Sequence, residues 1–205
     1  MTDNVFLFDD RKQKIRQVIG KYGEENFYIS FSGGKDSCVL SALIDLALPG
    51  NKIPRVYANT GIELNMIRDF VRSLAEKDDR IKIIKPKVPI KKMLEADGYP
   101  FKSKIHAKFV DRYQRIGKCD SVIQYLGERT DKEPWSPRMS CPSRLKYQFT
   151  DAFTMKISDK CCVRLKEEPL DLWRKENGKQ YAITGVMRAE GGAKSERTVL
   201  NFRLW

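Results

Sequence analysis

The chain has 205 residues, 41% hydrophobic and 32% charged, which is the profile of a folded globular protein and excludes a disordered or fibrous chain. No apolar run approaches the roughly 18 residues of a bilayer span, and Met1-Thr2-Asp3-Asn4 lacks a charged and then apolar leader, so a cytoplasmic protein with no membrane partner is expected. A formal net charge of +12 points to an anionic ligand or partner without choosing between a nucleotide and a nucleic acid.

In chain order, Ile15, Val18, Ile19 and Tyr22 recur at helical spacing between Asp10 and Tyr22, and Gly23 ends that helix. Phe27 to Phe31 reads as a short strand, followed by a glycine turn and an apolar helix from Ser37 to Leu48. The unit repeats twice, with strands at Arg55 to Asn59 and Ile81 to Ile84 and helices at Ile62 to Glu76 and Pro89 to Ala96. Strands alternating with helices predict an α/β fold, a Rossmann-like three-layer parallel sheet flanked by helices.

Residues 99–150 form a basic and aromatic stretch, expected to be a helix followed by a proline-broken loop inserted into a single domain spanning residues 1–205. Lys82, Lys85, Lys87, Lys91, Lys92, Lys102, Lys104 and Lys108 crowd one part of the chain, as a solvated face or as an anion-binding strip. Phe153 to Ile157 is a strand candidate, Asp159 to Lys166 and Pro169 to Glu176 look helical, and Gln180 to Val186 is a final strand before Gly191-Gly192.

The chemistry concentrates in Ser32-Gly33-Gly34-Lys35-Asp36-Ser37. Two glycines let the backbone fold tightly and aim N–H groups at an anion, and the following helix adds its positive end. Ser32 and Ser37 bring hydroxyls and Lys35 a mobile charge, while Asp36 caps the helix or holds a cation such as magnesium between phosphates. No Walker A pattern occurs in the chain, which excludes an ordinary P-loop NTPase.

This motif resembles the pyrophosphatase-loop signature of the adenine nucleotide alpha hydrolase-like superfamily. Further segments resemble its phosphoadenylyl-sulfate (PAPS) and adenylyl-sulfate reductases. Asn59-Thr60-Gly61 is similar to their Asp-Thr-Gly turn, with Asn59 in place of the acid. Cys161-Cys162, Lys166 and Pro169-Leu170 are similar to a Cys-Cys, Lys, Pro-Leu segment. Gly185, Arg188, Ser195 and Arg197 are similar to the stretch that grips the phosphosulfate. Arginine forks at Arg188 and Arg197, after a strand, suit bidentate phosphate binding.

The resemblance implies a nucleotide pocket for PAPS, adenylyl sulfate or ATP, catalysis at Lys35 and Asp36, and a thioredoxin-like reductant as partner. It also implies a tail cysteine, yet none follows Cys162 before Asn201-Phe202-Arg203-Leu204-Trp205, so the family's C-terminal tail is expected to be absent. A four-iron cluster in that family is held by cysteines, and here Cys119, Cys141, Cys161 and Cys162 would be the set. Zinc on the same thiolates, or simply reduced thiols, are the alternatives.

Cys38 reads as a small hydrophobe on the helix, His106 as a lone histidine with a general-base role as the sharper alternative, and Trp135, Trp173 and Trp205 as packing residues. Two other functions compete with the reductase-like one. One is an ATP-dependent sulfur-transfer enzyme that adenylates nucleic acid, as in DNA phosphorothioation or tRNA thiolation. The other is a non-catalytic module that binds nucleotide or DNA.

Overall fold

The computed structural model describes residues 2–128 and 140–185. Its elements are α1 (Thr2–Tyr22), β1 (Phe27–Ser30), α2 (Lys35–Ala47), β2 (Arg55–Ala58), α3 (Asn65–Ala75), β3 (Ile81–Ile84), α4 (Ile90–Asp97), α5 (Lys104–Ile116), α6 (Asp120–Leu126), α7 (Glu168–Glu176) and β4 (Tyr181–Ile183). They fall into two compact units, residues 1–87 with 166–205, and residues 88–165.

In the first unit the four strands are parallel in the order β3-β2-β1-β4. Phe27 and Ile29 of β1 point to one face, where they pack with Ile15 and Ile19 of α1 and with Leu40 and Ile44 of α2. Arg55 lies beside Ile29 in register, so Tyr57 shares that face and packs with Val71 of α3. Tyr28 points the other way and meets Trp173 of α7, ring centroids 5.7 Å apart. Helices on both faces make this the expected three-layer α/β sheet.

Strand β1 lies between β2 and β4, so the chain leaves it towards one side and returns on the other. That is a topological switch point, where open α/β sheets bind ligands beyond the carboxyl ends of their strands. The loop at Ser32–Ser37 follows β1 and Gly185 follows β4, so both sit at this crevice.

The opposite end of β2 holds a buried charge. Arg55 is 1% exposed, and its guanidinium lies 2.5 Å from Asp45 Oδ1 and donates to Asn51 Oδ1 at 3.0 Å, to Ser41 Oγ at 3.1 Å and to the Ile53 carbonyl. Arg80 closes the network with contacts of 2.8 Å to Asp45 and 2.7 Å to Asp78. Burial pushes the Asp45 carboxyl up, but hydrogen bonds from Arg80 and Asn51 and the Arg55 charge outweigh it and hold it below the usual range. Hydrogen bonds from Arg80 hold Asp78 low in the same way.

The second unit is helical. Phe109 of α5 stacks on Tyr125 of α6 with centroids 4.3 Å apart, and Ala107, Val110, Val122, Leu126 and Phe149 complete its core. It begins at residue 88 and runs to 165, wider than the insertion expected at 99–150. Contacts of α4 explain the difference. Gly98, at φ +108°, lies so close to Lys156 that a Cβ would come within 2.9 Å of its carbonyl oxygen, and Tyr99 pairs with Ile157.

That pairing is one parallel bridge, not the strand expected over Phe153 to Ile157. Thr154, Met155 and Lys156 are exposed and Ile157 is buried, so no alternating apolar face was there to anchor a ladder. The two helices expected after Asp159 are joined by a π-helical turn at Val163–Glu167. Among the described residues no helix is long and apolar enough to cross a membrane.

Candidate functional site

The loop is locked by its two serines. Ser37 is buried, and its Oγ accepts from the Ser32 hydroxyl at 3.1 Å and from the Ser32 N–H at 3.3 Å while donating to the Gly34 carbonyl at 2.9 Å. Ser32 Oγ also accepts the Gly34 N–H at 3.3 Å. Both hydroxyls, expected to face an anion, are engaged in closing the turn.

Gly33 adopts φ +73°, and a Cβ there would come within 2.8 Å of Val71 Cγ2 and 2.9 Å of Ile67 Cγ2 on α3. Only glycine meets both demands without strain. Gly34 is the N-cap of α2 and makes no side-chain cap bond, so Asp36 lies within the first turn and does not cap the helix. Lys35 and Asp36 are exposed. The N–H groups of the first helical turn have no intrahelical acceptor, so Lys35, Asp36 and Ser37 present donors at the positive end of α2.

Gly185 is close by for a packing reason. A Cβ on it would lie 3.1 Å from the Asp36 carbonyl oxygen, so a larger residue there would push the segment after β4 a few tenths of an ångström off the first turn of α2. The other three members expected from this stretch, Arg188, Ser195 and Arg197, lie outside the described residues, as do Trp135 and Trp205.

Asn59-Thr60-Gly61 follows β2 at the same edge of the sheet, and the Asn59 N–H is tied to the Ile84 carbonyl at 2.8 Å. Asn59 Oδ1 accepts the Gly61 N–H at 3.2 Å, so the amide shapes the turn in place of an acid. The acid of this turn is Glu63, which sequence reasoning missed. Its carboxylate accepts the Thr60 hydroxyl at 2.5 Å, the Thr60 N–H at 3.2 Å and the Gly61 N–H at 3.1 Å. Burial raises the Glu63 carboxyl, but these hydrogen bonds outweigh it and hold it below its ordinary value. The Thr-x-x-Glu spacing of a capping box was the available signal.

Cys38 packs half-buried beside Phe31, Tyr57 and Val71, with Sγ 3.9 Å from the Gly33 carbonyl, and burial pushes its thiol up. This is the small hydrophobe expected. In the second unit His106 is fully buried, 2.9 Å through Nδ1 from Tyr125 Oη and 2.8 Å through Nε2 from Gln148 Oε1. The amide oxygen can only accept, so Nε2 carries the proton and Nδ1 accepts the tyrosine hydroxyl. Burial lowers its basicity. A satisfied core histidine replaces the general-base reading.

Cys141 is buried in the core of the second unit and Cys119 packs against it, while Cys161 and Cys162 lie side by side at the helix start before the π turn. Among the described residues no three His, Cys, Asp or Glu side chains stand together as metal ligands. The four thiols expected to hold an iron-sulfur cluster or zinc are therefore not assembled as a ligand set. A resident metal does not fit them in this arrangement.

No curated protein matches the chain. The phosphoadenosine phosphosulfate reductase domain matches residues 26–136, a span that contains the loop at Ser32–Ser37 and the turn at Asn59-Thr60-Gly61 and ends before Cys141, Cys161, Cys162 and Gly185. With the parallel sheet and the glycine loop at its switch point, that match over more than half of the sequence means that the chain belongs to the phosphoadenosine phosphosulfate reductase domain family.

Proposed function

We propose that this chain is a cytoplasmic enzyme of sulfur metabolism that binds an adenine nucleotide, PAPS or adenylyl sulfate by preference, with its phosphate end on the Ser32–Ser37 loop. The carrying observation is the serine-locked loop at the β1/β4 crevice, which leaves the first-turn amides of α2 open while spending its hydroxyls internally. Lys35 neutralises phosphate or sulfate charge, and the turn braced by Glu63 walls the adenosine. Arg188 and Arg197 clamp the second anionic group. As an oxidoreductase the enzyme passes two electrons from a thioredoxin-like dithiol to the sulfate sulfur, so that the bond from sulfur to the nucleotide phosphate oxygen breaks, sulfite and the free nucleotide leave, and the dithiol becomes a disulfide with release of two protons. Asp36 would supply one carboxylate ligand to magnesium carried in by the nucleotide phosphates, whose charge the ion would offset.

Calorimetric titration with PAPS, adenosine 3',5'-bisphosphate and ATP, with and without magnesium, tests this reading. Preference for PAPS or the bisphosphate is expected, with about tenfold weaker binding in Lys35→Ala, or roughly 1.4 kcal/mol. Preference for ATP with magnesium and release of pyrophosphate would replace it with an adenylating sulfur-transfer reaction. Absence of binding by all three would remove the site.

A further inference from the structure

We propose that the outer face of α5, in the second unit, binds the sugar-phosphate backbone of a nucleic acid. This goes beyond the nucleotide site and does not depend on it. The second unit, residues 88–165, carries 16 lysines and arginines against 9 acids, so more than half of the chain's net charge of +12 resides in its smaller part. Four of these cations share one helix face. Lys104, Lys108, Arg112 and Arg115 recur at spacings of four, four and three along one helix, opposite the buried His106, Phe109 and Val110.

A merely solvated helix face normally alternates its charges, because opposite pairs four apart stabilise the helix and like pairs destabilise it. Here Lys104, Lys108 and Arg112 are successive like charges, and no acid stands in the first turn of α5, where the helix dipole would favour one. Lys104 and Lys108 have no ion-pair partner among the described residues, Arg112 donates to Ser121 Oγ at 2.6 Å, and Arg115 pairs with Asp111 at 2.9 Å. Cations four residues apart are separated by about 6 Å along the axis, close to the step between successive phosphates of a strand.

At its far end the row meets an open cleft of about 800 Å³, lined by Arg115, Lys156, Lys160, Tyr113 and Phe153. Cations beside aromatic rings are what a strand with exposed bases requires. The two acids of the cleft are already engaged, Asp111 by Arg115 and Asp151 by the Tyr113 hydroxyl at 3.3 Å. Lys160 stands 3.9 Å from Asp97, loosely enough to be shared with a phosphate. A row of cations about one helical turn apart, ending in a ring-lined cleft, fits a polyphosphate strand better than an acidic peptide, whose carboxylates have no such fixed step.

The test is fluorescence anisotropy of the full chain with labelled single-stranded DNA, single-stranded RNA and duplex DNA of about 20 nucleotides. Salt is varied from about 50 to about 200 mM, over which affinity should fall linearly on logarithmic axes. Lys104→Glu with Lys108→Glu should weaken binding at least about tenfold and flatten the salt slope by about 1.5 to 2. The acids fall in the first turns of α5, where its dipole tolerates them, so the fold is kept. The matched pair Lys14→Glu with Lys77→Glu, exposed in the first unit, should stay within about twofold of the parent protein.

Tighter binding of strand or of duplex then names the source of the backbone. Equal loss in both pairs would reduce the effect to diffuse charge and overturn the proposal. So would absence of binding at low salt, or binding that goes equally to polyglutamate or anionic vesicles. Nucleotide titration of the α5 variant keeps the two readings apart, because its affinity for the loop's ligand should be unchanged.

Discussion

Helix α2 joins two charged regions of the first unit that are built on opposite terms. At its start, Lys35 and Asp36 are exposed beside a loop whose serines bond to one another, and the first amides of the helix remain open. Near its end, Asp45 meets Arg55, buried to 1% exposure, and Arg80, so that the guanidinium of Arg55 is surrounded by acceptors. A buried charge can be kept only by partners, so that end serves stability. Donors left without partners are tolerated only beside solvent or a ligand, so the loop end is the one to which we assign binding.

The contrast is broken most directly at the buried end. Asp45→Ala removes the nearest counter-ion of Arg55 and, with Asp45 itself partly exposed, should cost about 1 to 3 kcal/mol in urea unfolding, with nucleotide affinity within about twofold of the parent at low temperature. A matching loss of affinity would show that the two ends are not separable. Acid probes the same network. Asp45 and Asp78 are held low in the fold, so their stabilisation is complete above the unfolded carboxylate value of about 3.9 and is lost as pH falls through the lower folded values. The Asp78→Asn variant should show a shallower loss of unfolding free energy over that window.

At the loop, Gly33→Ala must accept φ +73° and a Cβ pressed on Val71 and Ile67. A cost of about 1 to 3 kcal/mol in melting is expected, together with at least about tenfold weaker nucleotide binding. A variant that melted normally and bound normally would mean that the loop does not need its observed shape. The smallest change is Glu63→Gln, which weakens the hold on Thr60 and Gly61 by about 1 kcal/mol. It should raise the nucleotide dissociation constant a few-fold without altering the urea midpoint by more than that amount, since it acts on the wall of the crevice and not on the core.

Much of this was legible in the chain. The alternation of Phe27-Tyr28-Ile29 followed by Gly33-Gly34 and the apolar Leu40, Leu43 and Ile44 marks strand, turn and buried helix, since each signal lies within a dozen contiguous residues. The roles inside that loop were less legible. Ser32 and Ser37 look like ligand donors until the turn folds and brings one hydroxyl 3.1 Å from the other. His106 looks like a candidate base until Tyr125 and Gln148, 19 and 42 residues further along, occupy its two nitrogens. The basic crowd from Lys82 to Lys108 divides the same way, because only the members on α5 continue into a helical row with Arg112 and Arg115.

By itself the sequence determined the parallel α/β architecture, the glycine loop after the first strand and the turn after the second, because strands, glycine turns and amphipathic helices are properties of consecutive residues. Only the tertiary structure decided that Arg55 is buried among Asp45, Asn51 and Ser41, that Gly185 packs against Asp36, and that Cys119, Cys141, Cys161 and Cys162 do not form one ligand set. These are distances between residues far apart in the chain, and they follow from how the sheet and helices pack, which no local pattern encodes.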